Sequence, residues 1–447
     1  MTSELAASDR LPPRLGHAEV LKIAVPITLS NATVPLIGFV DTAVIGQMGV
    51  PHLMGGVAIG ALIFNMLYWG FSFLRMGTTG LTAQAVGAQD RREIAGHLLR
   101  AVMIALAGGV LLVLLQAPIR WGAFWLLGGS AEVQAAAATY FDIRIWAAPA
   151  GLVNFALLGW LIGLGRAGLA FAIQLLLNLL NMGLAILFAL GLGGGVAGVG
   201  YAALIAEVVA ALIGCAGAIV IARRMGVKAP IVDAIDRVRL ARSFAINADI
   251  TVRAMAAYAV HTFFTSQGAA AGDIVLAANA LLITIKNVTI YLLDGFAFAA
   301  EALVGRAVGA RDRAEFQAAI RLTTIWAGGL AVLVALAIWF GGPAVIAFSA
   351  KNVDIQAAAG TYLFWAALAP LVGVWCFQLD GIFIGATRTR DMRNTMILSV
   401  LVYIAVAMAL LPMIGNHALW AAYLVFYVVR AVGLLACLPR LMRSVFG

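Results

Sequence analysis

Apolar residues run through this chain in long stretches, and short charged clusters interrupt them at intervals. Each stretch is near or beyond the roughly 20 residues that a helix needs to cross a hydrocarbon core. The pattern predicts spanning helices over 20–46, 54–85, 94–116, 136–163, 168–190 and 196–222. A second set follows over 241–266, 274–306, 316–341, 357–386, 393–412 and 417–440. Twelve helices with short connections account for nearly all of the 447 residues. The expected fold class is an all-α integral membrane protein with twelve transmembrane helices.

Composition supports lipid as the solvent. Hydrophobic residues make up 63% of the chain and charged residues 11%, against about 25% charged in a soluble domain. The 48 glycines suit membrane helices, where small residues allow close approach. Cys215, Cys376 and Cys437 all fall in apolar stretches with no metal-ligand spacing, so they read as free thiols. The net charge of +9 is a matter of topology. Outside the spans, the arginines and lysines fall on the face shared with the N-terminus, except Arg120 and Lys351. The positive-inside rule then puts both termini in the cytoplasm. That asymmetry explains the basic balance without nucleic acid. The polar segment 1–20 has no signal-peptide core and reads as a cytoplasmic arm.

The chain repeats itself. AVGAQDRREI begins at Ala85 and AVGARDRAEF at Ala307, an offset of 222 that also maps Tyr140 onto Tyr362, Gly163 onto Gly385 and Arg166 onto Arg388. The expected organisation is therefore two pseudo-symmetric six-helix bundles over 21–223 and 241–440, a cytoplasmic linker over 224–240 and a tail over 441–447. An even number of spans per half gives both halves the same orientation. Parallel repeats of this kind are common in alternating-access carriers, with the substrate site near the midplane between the halves.

Charged side chains within spans are costly and mark function by default. Asp41 lies within GFVDTAVIG of the first span, and the offset pairs it with Phe263, so the acid belongs to the first bundle alone. Pro26 and Pro35 weaken the same helix. An acid beside such a helix can take up and release a proton as water access changes. Asn31, Tyr140, Asn154 and Asn178 are candidates to line a first-bundle cavity. Asn178 and Asn181 share one face of the fifth span, where bridging between helices is the other reading. Arg75, Arg144 and Glu207 are expected to form an intramembrane charge network. In the second bundle Lys286, Asp294, Glu301 and Asp380 form a candidate acidic site, either mutually neutralising or binding a second ion. Asp294 and Glu301 are seven residues apart and share a face, with Lys286 about 80° round.

Enzyme signatures are absent. His17, His52, His97, His261 and His417 have no metal-binding spacing, and no phosphate-binding loop of the Walker type occurs. Neither metal nor cofactor is expected. GLGGGVAGVG, 191–200, joins two spans and resembles a nucleotide loop by glycine content alone.

PITLSNATVPLIGFVDTAVIGQMG, LRMGTTGLTAQAVGA, LDGFAFAAEALVGRAVGARD and LDGIFIGATR resemble the multidrug and toxic compound extrusion (MATE) transporters, and more closely their DinF-like branch. The resemblance runs from about residue 20 to residue 440. It implies two six-helix bundles in a V. It also implies export of organic, often cationic or amphipathic, compounds against entry of protons or sodium ions. By position, Asp41 matches the coupling acid, Pro26 the bend proline of the first helix and Asn181 an asparagine of the cation site. Asn154 and Tyr140 match polar cavity residues. The chain departs from the family at Ala185 and Ala203, where an aspartate and a threonine are frequent. A sodium cage needs several oxygens together, so protons are favoured over sodium.

These readings converge on a secondary antiporter in the cytoplasmic membrane, acting as a monomer in lipid. It would export a small molecule in exchange for protons, with sodium the alternative ion. Asp41 and Asn181 are the expected coupling pair. A lipid or lipid-linked-sugar flippase is the first rival, and a channel or non-transporting receptor the second.

Overall fold

The computed structural model describes residues 15–128, 130–226 and 236–447. Most of the expected N-terminal arm and linker lie outside these residues. The first half comprises α1 (His17–Gly46), α2 (Pro51–Gly70), α3 (Phe73–Gly87), α4 (Arg91–Leu114) and α5 (Gln116–Leu127). It continues with α6 (Ala131–Arg144), α7 (Ala148–Gly163), α8 (Ala167–Ala185) and α9 (Gly195–Arg224). The second half comprises α10 (Arg237–Ala270), α11 (Asp273–Ala310), α12 (Arg313–Ser349), α13 (Val353–Gly385), α14 (Thr389–Ile414) and α15 (His417–Phe446). Among the described residues, ten helical stretches are long and apolar enough to cross a membrane. With α1 and α10, of 30 and 34 residues, they make the twelve spans.

Several boundaries differ from the hydropathy reading. The second span is two helices, α2 and α3, joined by a tight turn in which Phe71 N–H donates to the Tyr68 carbonyl at 3.0 Å. The fourth is α6 and α7, separated by a 3-10 turn over Ile145–Ala147. Pro149 there occupies the first turn of α7, where its missing N–H is tolerated. α1, by contrast, runs unbroken through Pro26, so the expected bend is not a helix break in this conformation. α5 was not legible as a helix. It buries no side chain and leaves Trp121 and Trp125 75% and 78% exposed, as a helix lying at a membrane interface would.

The internal repeat recurs in backbone detail. Gln89 and Arg311, 222 residues apart, are both left-handed, with φ of 54° and 55°. The following residues, Asp90 and Asp312, each accept the backbone N–H three residues on, from Glu93 and Glu315, at 2.9 Å. Each satisfies an orphan donor at a helix N-terminus. One short sequence thus stops a helix, turns the chain and starts the next helix in both halves.

The bundles meet most tightly on the face that carries the termini. Here α3 lies against α11 and α13 with no room for side chains. A β-carbon at Gly87 would fall 1.9 Å from the Arg306 carbonyl oxygen, and one at Gly309 1.9 Å from that of Gln84. Gln84 Nε2 donates to the Gly385 carbonyl at 2.9 Å. One hydrophobic core runs through the first bundle and the terminus-face half of the second, including Leu293, Leu303 and Phe383. The other half of the second bundle has its own core around Phe264, Tyr403 and Trp420. The two bundles are thus fused at one end of a V and diverge toward the other.

Candidate functional site

Asp41 sits near the far end of α1, inside the first bundle and 5% exposed. Its Oδ1 is buried without a hydrogen-bond partner. The groups it senses electrostatically are Arg144 and Tyr140, both on α6. Arg144 is already engaged: it donates to the Tyr140 hydroxyl and lies 3.7 Å from Glu207 Oε1. Tyr68 donates to Glu207 Oε2 at 2.9 Å, and Asn154 Nδ2 donates to the Glu207 backbone carbonyl at 3.0 Å. The guanidinium also stands 4.9 Å from the centre of the Phe64 ring. The result is a buried polar cluster built from α1, α2, α6, α7 and α9. Arg144 and Glu207 neutralise each other there, and Asp41 remains outside that pair. Tyr68 was missed in the sequence because a tyrosine in a span usually reads as packing.

Other expected cavity residues serve different ends. Asn178 Nδ2 donates to Thr33 Oγ1 at 2.5 Å and its Oδ1 accepts from Gln174 at 3.0 Å. It is therefore a bridge between α8 and α1. Asn31 Nδ2 donates to the Tyr291 carbonyl at 3.2 Å, which places it on the seam between bundles rather than in the first-bundle polar cluster. Asn181 is buried with its Oδ1 unpartnered. No hydrogen bond joins it to Asp41 among the described residues.

The expected network of Arg75, Arg144 and Glu207 divides in two. Arg75 Nη1 binds Glu301 Oε2 of the second bundle at 3.1 Å and lies 3.6 Å over the Phe298 ring. Sequence order could not reveal this, because the partners are 226 residues apart. The expected second-bundle acidic site divides likewise. Asp380 Oδ2 accepts from both Arg253 and Arg430. Asp294 is half-buried and lies in the field of Arg75, Glu301, Asp380 and Arg253. Three acids and three arginines thus form one formally neutral cluster, and one of the arginines comes from the first bundle. Lys286 does not belong to it: its Nζ donates to the Tyr423 hydroxyl at 2.7 Å.

Two more ion pairs join the bundles at the terminus face. Arg306 binds Glu19 of α1 at 2.6 Å, and Arg239 of α10 binds Glu93 of α4. Beside the latter lies a cavity of about 380 Å³ lined by Gln84, Asp90, His97 and Arg100, away from Asp41. No group of three His, Cys, Asp or Glu residues that could hold a metal ion occurs among the described residues.

Two repeated helical bundles, closed together at one end and carrying ionisable groups in their interiors, define a multi-spanning membrane transporter. The chain belongs to the MatE family, whose profile matches residues 26–187 and 254–409. It is 39% identical over 422 residues to DNA damage-inducible protein F of Escherichia coli (strain K12), covering 94% of this chain and 92% of that protein. It is 27% identical over 420 residues to the probable multidrug resistance protein NorM of Rhizobium meliloti (strain 1021), covering 90% and 86%. The fold matches a MATE crystal structure in the bent conformation with a TM-score of 0.87, at 20% identity over 95% of each chain. It matches a multidrug resistance MATE transporter in the outward-facing conformation equally well, at 0.87 and 19% identity over 96% of each. The expected family and twelve-helix fold are therefore correct, and the family is one of transporters rather than enzymes.

Proposed function

We propose that this protein is a proton-coupled antiporter of the cytoplasmic membrane that exports organic cations or amphipathic molecules, with Asp41 as its coupling group. The observation that carries the reading is the state of Asp41: a buried carboxylate with an unpartnered oxygen, beside an arginine already engaged by Glu207 and Tyr140. Such a group is poised to exchange a proton, because no strong partner holds it charged. With the termini in the cytoplasm, the fused end of the V faces inward and the divergent end outward. Asp41 takes a proton from outside. Loss of its charge removes its attraction to Arg144, α1 moves against α8, the first-bundle chamber contracts and substrate leaves. Inward opening then separates Arg75 from Glu301, Glu93 from Arg239 and Glu19 from Arg306. The proton is released to the cytoplasm and substrate is reloaded.

Arg144 also bears on the choice of ion. A sodium ion bound at Asp41 would sit in the field of a guanidinium, whereas a proton leaves a neutral acid. Ala185 and Ala203 supply no side-chain oxygens to a sodium cage. A flippase for a pyrophosphate-linked lipid would need several uncompensated cations together, but Arg75, Arg144, Arg253 and Arg430 each already face a carboxylate, which leaves Lys286 as a single enclosed cation.

The test is efflux of a fluorescent organic cation from proteoliposomes under separate proton and sodium gradients. Wild type should follow the proton gradient, and Asp41→Asn should lose that dependence. Equal coupled transport by the two would remove Asp41 from the mechanism. Export driven by sodium alone would replace the ion.

A further inference from the structure

Lys286 raises a separate question. It is 1% exposed in the interior of the second bundle, and no carboxylate lies within 4 Å of its Nζ among the described residues. Its surroundings are aromatic. Nζ donates to the Tyr423 hydroxyl at 2.7 Å and stands 4.0 Å from the centre of that ring. A charged lysine nitrogen has donors and no acceptor, so the Tyr423 oxygen accepts and its own hydrogen can go to His261 or to the Tyr427 hydroxyl. The Tyr423 oxygen lies 3.4 Å from His261 Nε2. The three groups form a chain from a core ammonium to an imidazole.

The far end of this chain is near the space between bundles. Tyr258 meets Trp69 of α2 across the seam, with ring centres 6.1 Å apart. His261 is three residues further along α10 and so lies on the same face, one turn toward the divergent end of the V. It is half-buried, whereas Lys286 is fully enclosed.

We propose that Lys286, Tyr423 and His261 form a second proton-exchange site, in the second bundle and built on a base instead of an acid. Lys286 Nζ passes a proton to the Tyr423 oxygen as Tyr423 passes its own to His261 Nε2. The ammonium becomes an amine and the neutral imidazole becomes imidazolium. The proton then leaves His261 for water between the bundles, and uptake reverses each step. An ammonium buried without a counterion is costly in a low-dielectric core. An amine can still accept a hydrogen bond from Tyr423, so both states are satisfied.

α14 brings Tyr403, 6.2 Å from Tyr423 between ring centres, and α15 brings Tyr427 at 5.1 Å. α13 brings Cys376 and Asp380, the latter held by Arg253 of α10 and Arg430 of α15. Asp294 lies two turns further along α11. α12 has no ionisable residue between Arg321 and its end, and α1 none between Lys22 and Asp41.

The test uses purified full-length protein in the Asp41→Asn background, so that its outcome is independent of the first coupling group. Histidine-selective NMR follows His261, assigned by loss of its signal in His261→Gln. Lys286→Met should move the His261 titration midpoint by at least tenfold in proton concentration. Tyr423→Phe, which keeps the ring, should uncouple the pair in the same way. Lys286→Arg keeps a charge that cannot be lost. It should fold like wild type yet carry fewer protons per exported molecule when Asp41 is restored. A His261 titration unchanged by both Lys286→Met and Tyr423→Phe would overturn the proposal. So would Lys286→Arg with wild-type proton counterflow, which would make Lys286 a fixed structural cation.

Discussion

Asp41 in the first bundle and Asp380 in the second are both buried acids on long helices, yet they are held differently. Asp41 has a buried oxygen with no hydrogen bond, next to an arginine occupied elsewhere. Asp380 is clamped between Arg253 and Arg430. A carboxylate with two guanidinium partners has little reason to change charge, while one with none can do so readily. On the proposed function, that difference gives ion exchange to the first acid and architecture to the second. It also shows why counting intramembrane acids is a poor guide to coupling sites. The partner decides the role.

This contrast can be broken experimentally. The largest expected effect is on stability. Asp380→Asn leaves two buried arginines without their carboxylate and should destabilise the protein by about 3–5 kcal/mol, read as a lowered unfolding temperature in detergent. Asp41→Asn should leave that temperature unchanged or raised. In transport the order reverses. For a neutral substrate, one inbound proton at 100 mV supplies about 2.3 kcal/mol, enough for roughly 50-fold accumulation; for a monovalent cation the exchange is electroneutral and the pH gradient alone drives it. Asp41→Asn should lose that accumulation in proteoliposomes. An Asp41→Asn protein that unfolds early but still accumulates substrate would invert the assignment.

Arg75 and Glu301 sharpen the comparison, because their bond must break whenever the bundles part at the terminus face. Arg75→Met should weaken the closed end by about 2 kcal/mol, seen as longer spin-label distances between the ends of α3 and α11. Adding Glu301→Gln should restore the closed distances, since neither side is then left charged. Failure of the double variant to recover would mean that Arg75 acts through some other contact. The smallest effect is expected for Tyr68→Phe, which removes one hydrogen bond to the Glu207 carboxylate. About 1.5 kcal/mol should be lost, with coupling retained, because Glu207 keeps Arg144.

The seam at the terminus face depends on backbone contact. Gly87→Val should prevent closure, because a side chain there meets the α11 backbone. The protein should then hold the bundles apart at that end, measurable by the same spin-label distances. Unchanged distances would mean that the helices shift to admit the side chain.

Spans, their number and the internal repeat were legible because each is written locally. A run of apolar residues must hide its backbone polar groups in a helix wherever it lies in lipid. AVGAQD and AVGARD carry their own turn and cap. Asp41 stood out for the same reason, as a charge where charge is costly. The tight turn splitting the second span was not legible, because apolar composition continues across it. Nor was α5, whose tryptophans and leucines resemble those of a span.

What only tertiary structure decided is which charge meets which. Arg75 was grouped with Arg144 by sequence and stands with Glu301 in space. Lys286 was grouped with the acids of its own helix and stands among tyrosines. Asn31 was assigned to a cavity and Asn178 to a cavity or a bridge between helices, and both hold helices together. Helical periodicity gives the face on which a residue lies, but not what faces it. That depends on how twelve helices pack, and the packing is set by contacts such as glycine against backbone, hundreds of residues apart in sequence.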